Sequence, residues 1–191
     1  MTDDLTRCSW PGNDPLYIAY HDTEWGVPDY DSQRLFEKLI LDGFQAGLSW
    51  ITILRKREGF RAAFDQFDPE KIARYDNDKI AELMANSGII RNRLKINNTV
   101  RSAQLYLDIE KNKPGGFSEF IWQFTDGKVI QNNWASLSET PTESAESRAM
   151  SKALMKRGFR FCGPTICYAF MQAVGMVNDH SIDCFRHQQL Q

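Results

Sequence analysis

Apolar residues recur along most of this chain at the three- and four-residue spacing of a helix face, and strict alternation is nearly absent. The pattern predicts an all-α protein. An Asp-Pro start at Asp14-Pro15 opens a helix that runs to Gly26. The next opens at Asp31 or Ser32, carries Leu35, Phe36, Leu39 and Ile40 on one face, and ends near Gly47. Helical patterns follow over 49–64, 69–74, 77–86, 91–111, 116–125 and 143–157, with "KPGG" and "SLSETPTES" as the clearest loops. The stretch "GFRFCGPTICYAF" then reads as the end of a helix, a glycine-bounded hairpin and a further helix. One segment, "GKVIQNNW", suits a short extended piece.

One carboxylate interrupts this pattern. Asp42 stands in "LILDGFQAGLSW" at the edge of an apolar face, with Lys38 one turn earlier. Its plainest role is an i to i+4 ion pair of a few tenths of a kcal/mol.

A length of 191 residues with 42% hydrophobic content suits one folded unit. The net charge of -2 excludes a strongly basic nucleic-acid coat and turns attention to local patches. The longest apolar run, "ICYAFMQAVGMV" at 166–177, is too short to span a bilayer, and the acidic "MTDDLTRCSW" has no apolar core of signal-peptide length. The expectation is a soluble protein of the cytoplasm, where thiols stay reduced.

The four cysteines are therefore read as metal ligands or core residues. Cys8 and His21 near one end, and His180 with Cys184 near the other, make a Cys2His2 set. Zinc takes thiolate and imidazole in a tetrahedron, and His-x3-Cys sets two ligands one helical turn apart. Spacing alone also allows Cys8 to be an incidental thiol and His21 a polar residue on an aromatic helix. Cys162 and Cys167 lie in an apolar stretch and read as core, and His187 as surface.

Trp10, Tyr17, Tyr20, Trp25 and Trp50 crowd the first fifty residues. Such rings fill a core, or they stack a flat ring and attract its positive charge. Basic residues cluster at 55–61, 91–101 and 152–160. The last cluster, with Lys156 and Arg157, runs into the hairpin between Gly158 and Gly163, where backbone can approach an anion closely. A basic helix leading into such a hairpin suits a DNA backbone.

The motifs "RCSW", "DPLYIAYHDTEWGVP", "LFEKLILDGFQAGLSWITILRKRE", "GIIRNRLKI", "KRGFRFCGPTICYAFMQA" and "GMVNDHSIDC", taken together, resemble the type I 3-methyladenine DNA glycosylases of bacteria. The resemblance runs from Arg7 to Cys184 and leaves only the region near 112–145 without a match. It implies a helix-hairpin-helix DNA glycosylase in which one structural zinc, on Cys8, His21, His180 and Cys184, joins the N- and C-terminal segments. It further implies a pocket lined by Trp10, Tyr17, Tyr20, Trp25 and Trp50, with Asp42 reading the base where the family has a glutamate. The turn with Gly47 and Leu48 becomes the source of a wedge that fills the vacated base stack.

The expected unit is 1–191 in two lobes, with 31–175 as the helical lobe around a hairpin near 158–163, and 1–30 with 176–191 as zinc-linked segments. The expected partner is double-stranded alkylated DNA, met by a monomer associated with the bacterial nucleoid. No lysine of the second hairpin helix offers a Schiff-base nucleophile, so the expected enzyme leaves an abasic site without a lyase step. The competing class is a non-enzymatic, zinc-stabilised DNA-binding module. A zinc hydrolase fits poorly, because four protein ligands leave the metal no open position.

Overall fold

In the computed structural model, which describes residues 5–191, helices pack around one apolar core. Helix α1 (Pro15–Thr23) starts where the Asp14 carboxylate accepts from the amides of Leu16 and Tyr17, with Pro15 at the position that needs no amide. Helix α2 (Ser32–Gln45), capped by Asp31, is the central element: Leu35, Phe36, Leu39, Ile40, Leu41 and Phe44 are all buried. The predicted 49–64 helix is broken. Lys56 leaves helical geometry (φ -103°, ψ 0°), dividing the run into α3 (Trp50–Leu54) and α4 (Arg57–Ala63). Two tertiary contacts accompany the break: Lys56 Nζ donates to the Ser87 carbonyl, and Gly59 lies so close to Gly88 that an added Cβ would fall 2.5 Å from its oxygen.

Short helices α5 (Pro69–Ile72) and α6 (Asn77–Ala85) lead to the long α7 (Arg93–Asn112) and then α8 (Gly116–Trp122). Helix α9 (Ala145–Arg157) begins with a reciprocal Ser144–Ser147 cap and ends at Gly158, whose φ of 106° only glycine adopts freely. There the Gly158 amide donates to Met155 and the Phe159 amide to Leu154, closing the helix before the hairpin. Gly163 and Pro164 then open α10 (Pro164–Ala173), which packs on both α9 and α2.

The extended piece expected in "GKVIQNNW" is β1 (Ile130–Gln131). It pairs in parallel with β2 (Val177–Asn178), Ile130 opposite Val177 and Gln131 opposite Asn178. This ladder fastens the 130s loop to the segment that carries His180. A last helix, α11 (Phe185–Gln189), follows Cys184. His187, expected on the surface, is buried instead, because its Nε2 meets the Asn132 carbonyl at 2.8 Å and its own carbonyl accepts from Asn178. Cys162 and Cys167 are core residues as expected. Among the described residues no helix is long and apolar enough to cross a membrane.

Candidate functional site

Two arrangements meet at the N-terminal helix. The first gathers Cys8, His21, His180 and Cys184, whose ligand atoms all lie within 4.8 Å of one another. Cys8 Sγ is 3.6 Å from His180 Nδ1, and Cys184 Sγ is 3.5 Å from both His180 Nδ1 and His21 Nε2. With zinc–sulfur and zinc–nitrogen bonds of about 2.3 and 2.0–2.1 Å, a regular tetrahedron sets sulfur and nitrogen roughly 3.6 Å apart. The donor set and its edges fit that ion.

Both imidazoles are oriented from behind. His21 Nδ1 lies 2.7 Å from Asp22 Oδ1, and Arg7 holds the same carboxylate through Nε and a terminal nitrogen. His180 Nε2 faces the Trp25 carbonyl at 3.1 Å. Such contacts fix which ring nitrogen faces a metal. The Cys184 thiol is held well below its ordinary range, first by the hydrogen bond from Cys8 and then, against burial, by the two imidazoles.

The second arrangement is a cleft of about 210 Å³ lined by Trp10, Tyr17, Tyr20, Trp25 and Trp50 together with Asp42. Helix α1 presents Tyr17 and Tyr20 from one side. Trp10 stands edge-on to Tyr17, Trp25 and Tyr20, at centroid distances of 4.8, 5.0 and 6.4 Å, and Tyr20 tilts against Trp50 at 5.5 Å. The five rings expected from the sequence thus surround one space. Burial, reinforced by Asp42, pushes the Tyr20 phenol well above its ordinary range, so it stays protonated.

Asp42 is 1% exposed, so the apolar-edge reading understated its burial. Its Oδ1 accepts from Lys38 Nζ in the i, i+4 pair expected from the sequence. Burial raises the carboxyl's pKa and lowers that of the ammonium, and each group opposes the other's shift. Asp42 Oδ2 and the indole nitrogens of Trp10 and Trp50 are buried without a partner among the described residues. An acceptor and two donors are therefore left unused around the aromatic space, where an unmade hydrogen bond costs about 1–3 kcal/mol.

The two arrangements share a wall. Trp10 contacts His21 at 5.3 Å between centroids, and Trp25 contacts His180 at 4.6 Å. Whatever holds the four ligands also holds the cleft.

Several lining residues were not assigned to the pocket from the sequence, although Gln172 and Asp179 lie within matching motifs. Leu137 and Thr140 come from the 112–145 region that matched nothing, and Gln172 and Asp179 from α10 and the strand after it. Asp179 borders the cleft but is fully engaged: it accepts from Asn132, Trp134, Tyr168 and Gln172. It serves as an anchor for β1 and α10.

Gly47, at φ +83°, and Leu48, 43% exposed, form the turn after α2. Lys95 of α7 supports that turn, its Nζ donating to the carbonyls of Phe44 and Ala46. The basic clusters differ in kind. In 55–61, Arg55, Arg57 and Arg61 are spent on Asp14, Glu24 and Glu37. Lys152, Lys156 and Arg160 are exposed and have no acidic partner among the described residues. Arg157 lies over the Phe120 ring at 4.8 Å, so packing as well as charge holds it. At Gly163 no described residue comes within 4 Å of an added Cβ.

The scaffold thus brings five aromatic rings and a buried acid to one cleft. The family model for methyladenine glycosylases matches residues 10–187, and the chain belongs to that family. It is 54% identical over 179 residues to a DNA-3-methyladenine glycosylase of Haemophilus influenzae, covering 94% of this chain and 96% of the relative. The crystal structure of a 3-methyladenine DNA glycosylase I superposes with a TM-score of 0.92 at 53% identity, covering 94% of this chain and 98% of that one. A tyrosine-to-phenylalanine variant of such an enzyme, solved in complex with 3-methyladenine, superposes with a TM-score of 0.90 at 38% identity, covering 94% and 96%.

Proposed function

We propose that this protein excises 3-methyladenine from alkylated double-stranded DNA by hydrolysis and leaves an abasic site. The observation that carries the reading is the aromatic cleft lined also by Asp42, whose Oδ2 is unpartnered among the described residues. Methylation at N3 makes the base a cation and weakens its bond to the sugar. The enzyme extrudes the nucleotide, at a cost of a few kcal/mol. Trp10, Tyr17, Tyr20, Trp25 and Trp50 enclose the base, and Asp42 accepts hydrogen bonds from its edge. Water adds at the sugar C1′ as the glycosidic bond breaks. The bonding pair passes to the base, which leaves neutral, and the water's proton goes to solvent.

In this reading Leu48 fills the stack that the base has vacated, and Gly47 lets the turn approach the duplex. Lys156, Arg157, Gly158 and Gly163 meet the phosphate backbone at the helix–hairpin–helix formed by α9 and α10. Cys8, His21, His180 and Cys184 would hold one structural zinc, which supplies cross-linking and not water activation, since four protein ligands close its coordination. The chain is read as two lobes, 31–175 around the hairpin near 158–163 and the zinc-linked segments 1–30 and 176–191. Positions 1–4 of the first segment lie outside the described residues. The protein acts as a monomer in the bacterial cytoplasm, on the nucleoid.

Incubation with dimethyl sulfate-treated duplex DNA tests the activity. Release of 3-methyladenine without strand cleavage is expected. DNA binding with no base released would leave only a DNA-binding module.

A further inference from the structure

The cleft already contains a positive charge. Lys38 Nζ lies 3.9 Å from the centroid of the Trp50 ring while it donates to Asp42 Oδ1. One aromatic face and one carboxylate oxygen are thus engaged by the protein's own ammonium. Lys38 also lines a neighbouring cleft of about 380 Å³, whose wall includes Glu24 and Glu37. Its side chain is 16% exposed and carries a flexible four-carbon stem, so rotation about its own bonds can move the charge from one cleft to the other.

We propose that Lys38 is a specificity-determining residue, an internal cation that a base must displace to engage both carboxylate oxygens of Asp42 and the Trp50 face. The proposal rests on reading the cleft as a base pocket. A neutral purine that displaced the ammonium would leave Asp42 as a buried charge without a counter-ion, which is strongly unfavourable. A cationic base brings its own charge and replaces both contacts that Lys38 gives up. The exchange therefore favours methylated adenine over ordinary adenine. Once the glycosidic bond breaks the base is neutral, and the ammonium regains Asp42 and helps to clear the product.

The test is calorimetric titration of the whole protein with 3,9-dimethyladeninium, a permanently charged base with a methyl group in place of the sugar. It is run at about pH 8.5, well above the ordinary carboxyl range. Lys38→Met, which keeps the stem and removes the charge, is expected to bind this cation roughly tenfold tighter than the wild type, within the range of one cation–π contact. Lys38→Gln takes its place should the methionine variant not fold. Equal or weaker binding by the folded variant overturns the proposal. Base release from dimethyl sulfate-treated DNA separates the two failures. If the wild type releases 3-methyladenine and the variant binds no tighter, only the role of Lys38 falls; if the wild type releases none, both readings fall.

Discussion

Cys8 Sγ and His180 Nδ1 lie 3.6 Å apart although 172 residues of chain separate them. The four-ligand cluster they belong to also touches the cleft through Trp10 and Trp25. The four-residue cluster and the cleft are therefore packed against each other through the same two tryptophans.

Cys184→Ser should lower zinc content and thermal midpoint together, by about 2–4 °C for each kcal/mol of stability removed. Base binding should fall with them, through the shared tryptophan wall. Elemental analysis beside a thermal melt checks this, and a full zinc complement in the variant would remove Cys184 from the ligand set.

Asp22 grips His21 Nδ1 from behind and is itself held by Arg7. Asp22→Asn should weaken zinc affinity roughly 10- to 100-fold, as loss of a metal ligand's supporting hydrogen bond does. Excision in excess zinc should stay near the wild-type rate. A competition titration with a chromophoric chelator measures the affinity, and an unchanged value rejects the role.

Asp42→Asn preserves the shape of the side chain and removes its charge. Losing a charge-assisted hydrogen bond of about 1.5–3 kcal/mol should slow excision roughly ten- to hundredfold while the protein stays folded. Single-turnover base release is the measurement. A rate equal to wild type would take Asp42 out of base recognition.

Leu48 is half-exposed, so Leu48→Ala should leave the melting temperature unchanged. On duplex DNA it should reduce kcat/KM roughly ten- to hundredfold, since the stack forgoes apolar burial of about 1.5–3 kcal/mol. Binding of the isolated cationic base should be unaffected. A parallel drop in both would mean that the turn shapes the cleft instead.

Lys156→Glu combined with Arg160→Glu should weaken DNA binding and lower the slope of log K against log salt by about 0.9 for each phosphate that is no longer neutralised. Arg157→Glu should in addition destabilise the fold, because that guanidinium packs on Phe120. Fluorescence anisotropy at several salt concentrations reads the slope, and an unchanged slope turns this face away from DNA.

Much of this was legible in the sequence because it is local. The Asp14-Pro15 and Asp31 starts cap helices where periodicity placed them, since each signal acts within one turn. The Lys38–Asp42 pair was visible as i, i+4 spacing, whereas its position over Trp50 depends on α3 packing back on α2. The break at Lys56 was hidden for the same reason: the Gly59–Gly88 approach that goes with it joins residues far apart in the chain. His187 gave no sign of burial, because its partner Asn132 sits 55 residues away across the β1–β2 ladder. The four ligands showed through despite their separation, because few residue types bind zinc and His-x3-Cys is itself a local spacing.

Strand β2, His180 and Cys184 are synthesised well after Cys8, His21 and the five aromatic residues of the cleft. At roughly 5–20 residues per second, about ten to thirty seconds pass between translation of Cys8 and of Cys184. For that interval the nascent polypeptide carries Cys8 and His21 without their partners, and its aromatic wall has no rear support. On the proposed reading, a product truncated before His180 lacks two of the four residues that would hold the ion, and it is expected to release no 3-methyladenine.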